Sequence, residues 1–165
     1  MVDINTIQDY IVNSPPTGSI FGTAREFDEM PETHRAQVLF LNETGSSFIY
    51  SFASAAHIIT GGFWSPFQKG NFKDIETFDD FTSSEESKLA LKKWMFKRGL
   101  PFSSRVFVLE NGNDQAILTT WKMMVKYSPQ LFLMNDMMVF DATLNWCLFY
   151  FHEGKLFFGK NNIYN

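Results

Sequence analysis

The chain has 165 residues, 45% of them apolar and 17% aromatic, with nineteen Phe and four Trp; this is enough for one folded body that buries roughly 70% of the surface its unfolded chain exposes. A net charge of −4 argues against a general nucleic-acid binder, which draws its affinity from Lys and Arg on phosphates, and suits a basic protein partner. The single cysteine, Cys147, excludes an intrachain disulfide; no stretch approaches the ~20 apolar residues of a membrane span, and Met1 to Asn5 lack a signal-peptide pattern, so the expected setting is a reduced cytoplasm with no membrane contact.

Ile4, Ile7 and Ile11 fall at helical spacing behind Asp3, which predicts a short helix over 3–12, ended by Ser14-Pro15-Pro16-Thr17-Gly18. Residues 36–41 read either as a strand or as a helix end, and residues 47–59 lean to helix before Gly61-Gly62. From Trp64 to Phe81 the pattern predicts an aromatic, acidic loop with little regular structure. From Asp74 to Glu86 there are six carboxylates (Asp74, Glu76, Asp79, Asp80, Glu85 and Glu86) and no base, and Lys88, Lys92, Lys93, Lys97 and Arg98 follow.

Ser83 and Glu86 have capping-box spacing, and the acidic start, basic end and Gly99 predict a helix over about 84–98. Val106 to Leu109 predict a buried strand. A second helix is expected from Asn113 or Asp114 to Tyr127, closed by Pro129. Residues 137–142, 146–152 and 155–160 read as three strands joined by short turns, an antiparallel meander whose middle strand is apolar on both faces. The expected fold is therefore α+β: one domain over 1–165, helical and loop-rich to 83, with a C-terminal antiparallel sheet packed against helices.

His34, His57, His152 and Cys147 lack the close spacing of a metal site, so no metal and no cofactor are expected. No Gly-x-Ser-x-Gly elbow or phosphate-binding loop occurs, and Cys147 lies in an apolar strand where a thiol is ordinarily inert. No catalytic set emerges, and an enzyme is not expected; a hydrolase using His152 with Asp141 or Glu153 is the weakest reading. The acidic run reads first as a solvated face. Its aromatic neighbours Trp64, Phe67, Phe78 and Phe81 give it the rings-within-charges composition of a protein interface, although the same rings could tuck under the loop and hold it to the body.

Thr119 to Tyr127, then Val139-Phe140-Asp141-Ala142-Thr143-Leu144-Asn145-Trp146, then Tyr150-Phe151-His152-Glu153-Gly154 running to Phe158-Gly159, resemble the C-terminal region of bacterial immunity-type proteins that accompany polymorphic toxins, including contact-dependent growth inhibition systems. The resemblance covers the last third of the chain. It implies a cytoplasmic protein that blocks a cognate toxin domain by binding it. If that toxin is a nuclease, its basic cleft would suit an acidic face, and Trp64, Phe67, Asp74, Glu76, Phe78, Asp79, Asp80 and Phe81 are the residues expected to meet it. The alternative is a small-molecule or peptide pocket between helices and sheet, around Trp121, Asp141, Trp146, Tyr150 and His152.

Overall fold

The three C-terminal strands are the middle and flank of a larger sheet. The computed structural model describes residues 2–13, 24–132 and 135–165; the Pro-Pro turn expected at 14–18 lies outside them. Eight strands are present among the described residues: β1 (Ile11–Val12), β2 (Leu39–Leu41), β3 (Phe72–Phe78), β4 (Arg105–Glu110), β5 (Ile117–Thr120), β6 (Met137–Phe140), β7 (Trp146–Phe151) and β8 (Lys155–Asn162). They form one antiparallel sheet in the order β1-β2-β5-β4-β6-β7-β8-β3. Six helices accompany them: α1 (Ala24–Glu29), α2 (Glu32–Arg35), α3 (Glu43–Ala55), α4 (Ser65–Gln68), α5 (Glu85–Phe96) and α6 (Trp121–Leu131). The α+β expectation holds, and none of these helices is long and apolar enough to cross a membrane.

Both faces of the sheet are covered. On one, Val106, Val108, Val139, Leu148 and Phe158 meet Leu91 and Met95 of α5 and Trp121 and Met124 of α6. On the other, Phe107, Leu109, Met138, Phe140 and Phe149 meet Ile49 and Ala53 of α3. This is why β7 reads as apolar at every position: alternate side chains enter different cores. Each fully buried Leu or Phe contributes about 1.5–3 kcal/mol relative to exposure.

Several boundaries differ from expectation for local reasons. Residues 3–12 form a single 3-10 turn (Ile7–Tyr10) and then β1 rather than an α-helix; Asp3 Oδ1 accepts from the N–H groups of Asn5 and Thr6, at 2.7 and 3.2 Å. The helix expected over 47–59 begins earlier, because the Asn42 side chain accepts from Gly45 N–H at 3.0 Å and caps it. Ser84, rather than Ser83, caps α5 by accepting from Ser87 N–H. The helix expected from residue 113 loses its first turn to β5: Ile117, Leu118 and Thr119 are buried in the sheet, and Thr120 caps α6. Pro129 lies inside the last turn of α6 rather than after it.

The largest correction concerns residues 64–81. They are not an irregular loop but α4 followed by a seven-residue edge strand, β3.

Candidate functional site

Lys73-Asp74-Ile75-Glu76-Thr77 lie on a strand at the edge of the sheet, and all five residues are exposed. Charged side chains of this kind are how natural sheets protect an edge from indiscriminate pairing. Opposite them on β8 stand Lys160, Gly159, Phe158 and Phe157, paired in register with Asp74, Ile75, Glu76 and Thr77. Gly159 is required there: a Cβ at that position would fall 2.5 Å from Cγ of Phe72.

Four of the six carboxylates, Asp74, Glu76, Asp79 and Glu85, have partners. Asp74 accepts a hydrogen bond from Nδ2 of Asn161. Glu76 pairs with Arg98, whose side chain is only 4% exposed. Lys155 Nζ lies 2.9 Å from Asp79, and Lys88 Nζ 2.8 Å from Glu85, whose carboxyl this lysine holds below the usual range. Asp80 follows in the left-handed region, at φ +58°. The chain then returns to the body where Phe81 N–H donates to Gly154 O at 2.8 Å. Gly154 has φ +84°, and a Cβ on it would lie 2.7 Å from Phe81 O.

The four rings expected to face a partner do not share a surface. Trp64 packs on Phe149, Phe151 and Phe157, and Phe67 on Phe72 and Phe149, all in one core. Phe78 packs on Trp94, and Phe81 joins it in the core on the opposite face of the sheet. All four are half-buried. Of the two readings of these rings, the geometry matches the one in which they hold the segment to the body. The exposed remainder is a strip of carboxylates at a sheet edge with one apolar side chain, Ile75, 40% exposed.

No family model, curated protein or solved structure matches the chain. The residues on which a likeness to immunity-type proteins was expected lie in the C-terminal third. In that third, Asp141 Oδ2 accepts from the indole N–H of Trp146 at 2.7 Å while Oδ1 accepts from Thr143 N–H at 2.9 Å, so this aspartate braces the β6–β7 turn. Trp121, Trp146 and Tyr150 are buried, Trp121 edge-on to Trp146 and Tyr150 tilted against Phe132. They form packed core where a pocket was expected. Burial, with the nearby charge of Asp136, pushes the Tyr150 phenol up.

His152 pairs with neither Asp141 nor Glu153. Its Nδ1 lies 2.8 Å from Asp136 Oδ1, which also accepts from the His152 backbone N–H at 2.9 Å. Asp136 precedes β6, and the strand pairing of β6 with β7 brings it to the turn after β7. Sequence spacing favoured Asp141 because it lies closer along the chain. Among the described residues, no group of three or more His, Cys, Asp or Glu is placed to hold a metal ion.

Proposed function

We propose that this chain is an immunity-type protein that binds and neutralises a cognate toxin domain in the cytoplasm of the cell producing it, by contact rather than catalysis. The supporting observation is the outer edge of β3: five consecutive exposed residues on a strand with one neighbour, flanked by carboxylates and braced from behind by Phe78 and Phe81. An edge of this kind accepts an extended segment through backbone hydrogen bonds, with Ile75 as the apolar contact. Asp74, Asp79 and Asp80 supply a negative field that steers a basic partner, such as the cleft of a nuclease toxin, and sets salt dependence.

Co-expression with a suspected cognate toxin domain tests the reading. Cells are expected to survive only when this chain is present; survival without it, or no complex between the two purified proteins, overturns the proposal. Asp74→Asn, Asp79→Asn and Asp80→Asn in one protein are expected to slow association about tenfold at low salt, because rim charges act mainly on the on-rate. Glu76 is left intact in that variant, since it neutralises Arg98.

A further inference from the structure

A second surface, opposite in charge to the β3 edge, lies on the outer side of α5 and α6. Leu91 and Met95 of α5 point into the core, which turns Leu89, Lys93, Phe96 and Lys97 outward by the helical repeat. Phe96 is 61% exposed, and its ring centroid lies 5.8 Å from that of Phe102, another exposed ring. The carbonyl of Phe102 accepts from Lys122 N–H at 3.0 Å, which ties this pair to the start of α6. On α6, Lys122 and Lys126 are exposed beside the partly buried Val125.

Between the helices is a hollow of about 430 Å³ lined by Lys92, Lys93, Phe96, Lys97 and Val125. A second hollow, also about 430 Å³, shares Lys92 but carries Glu26 and Glu85 beside Lys88 and is mixed in charge. The positive one is the first, a groove between α5 and α6 with Phe96 and Val125 among its lining. Lys92, Lys93, Lys97, Lys122 and Lys126 form no ion pair among the described residues. Lys93 with Lys97, and Lys122 with Lys126, are like charges at i,i+4, an arrangement that weakens a free helix. Exposed rings bordered by unpaired lysines, on a protein whose net charge is −4, make a local positive surface that the packing of the fold does not require.

We propose that this groove docks an acidic, amphipathic polypeptide segment of a partner protein, its apolar side chains seated on Phe96, Phe102 and Val125 and its carboxylates on the lysines. Apolar side chains bordered by lysines suit an amphipathic helix laid across them. A bilayer would meet the protruding residues but leave the groove unfilled, and the net negative charge opposes a phosphate backbone. This surface is separate from the β3 edge and does not depend on the toxin-binding reading.

Fluorescence anisotropy tests it, with a labelled synthetic helical peptide of Glu, Leu and Phe as the probe. The controls are the same peptide with Ser in place of Leu and Phe, a single-stranded oligonucleotide, and mixed phosphatidylcholine and phosphatidylserine vesicles. The Leu/Phe peptide is expected to bind, with affinity reduced about tenfold by Phe96→Ser and about tenfold by Lys93→Glu with Lys97→Glu. Lys122→Glu with Lys126→Glu, on the other helix, replaces any variant that fails to fold. Absence of binding, equal binding by the variants, or tighter binding of the Ser peptide, oligonucleotide or vesicles overturns the proposal. The Asp74, Asp79 and Asp80 variant should bind the peptide like the unmodified protein, so failure here and failure of the toxin-binding reading are told apart.

Discussion

The guanidinium of Arg98 lies 4.3 Å from the ring centroid of Trp94 and 5.5 Å from that of Phe158, with Glu76 as its counter-ion and Trp94 O accepting from its Nε at 3.0 Å. Removing the countercharge while the cation stays buried is costly; a fully enclosed pair loses about 3–5 kcal/mol, but Glu76 is 53% exposed and water can approach. Glu76→Gln is therefore expected to cost about 1–2 kcal/mol in urea unfolding, and Arg98→Met in the same protein should recover part of it. An unchanged midpoint for the single variant would contradict the role given to the pair. The place of Arg98 at a helix end was readable from the chain. Its counter-ion was not, because Glu76 belongs to a segment whose charges look solvated until the strand pairing is known.

Tyr50 offers a pH-dependent case. Its hydroxyl donates to Asn113 O at 2.7 Å, and burial, followed by the negative charges of Asp114 and Glu110, pushes the phenol up to about 12. The unfolded chain ionises this group near 10. Stability from this group is complete below that value and is lost as pH rises toward about 12, because the folded state keeps a proton that the unfolded state has released. Thermal melts of Tyr50→Phe should show a shallower decline across this range than the unmodified protein; identical slopes would exclude the assignment.

Among the elements, β3 and β8 are the most exacting pair. Gly159 leaves the space that the Phe72 ring fills, and the obstacle to any side chain there is the Cβ and ring base of Phe72 rather than a flexible tip. Gly159→Ala is expected to destabilise by roughly 1–3 kcal/mol, since an added methyl must displace a ring held by Phe67. Denaturant unfolding of this variant alongside Gly159→Ala with Phe72→Leu measures it: if the second substitution restores nothing, the clash is not the cause. The meander from β6 to β8 was legible because its apolar runs and turn residues agree. The β5–α6 boundary was not, since Ile117, Trp121, Met124 and Val125 also satisfy helical spacing; the β-branched Ile117, Thr119 and Thr120 were the contrary signal. β3 was missed for a different reason. An edge strand needs only one apolar face, and Lys73, Asp74 and Glu76 replace the hydrophobic alternation by which strands are usually found.

For the molecule as a whole, the modest net charge conceals a division. Carboxylates gather along β3 and the turn that follows it, while unpaired lysines gather on the outer sides of α5 and α6. Both sets are visible in the linear order as an acidic run followed by basic residues, but the contribution of α6 is not, because only tertiary packing brings Val125, with exposed Lys122 and Lys126 on the same helix, to the hollow that Lys93 lines. The expected ring-studded acidic patch fails at the same scale: Trp64 and Phe67 go to one side of the sheet, Phe78 and Phe81 to the other.

The pairing of β3 with β8 also bears on how such a chain is made. Asp74 and Asn161 are 87 residues apart, and β3 has no other strand neighbour among the described residues. As the polypeptide leaves the ribosome, residues 72–78 must wait for residues 155–162 before they can be zipped in place, and Phe72 stays open to solvent and to chaperones meanwhile. Fastening the margin thus waits on the synthesis of β8, and the outward face of β3 is not yet set on a nascent chain that lacks it.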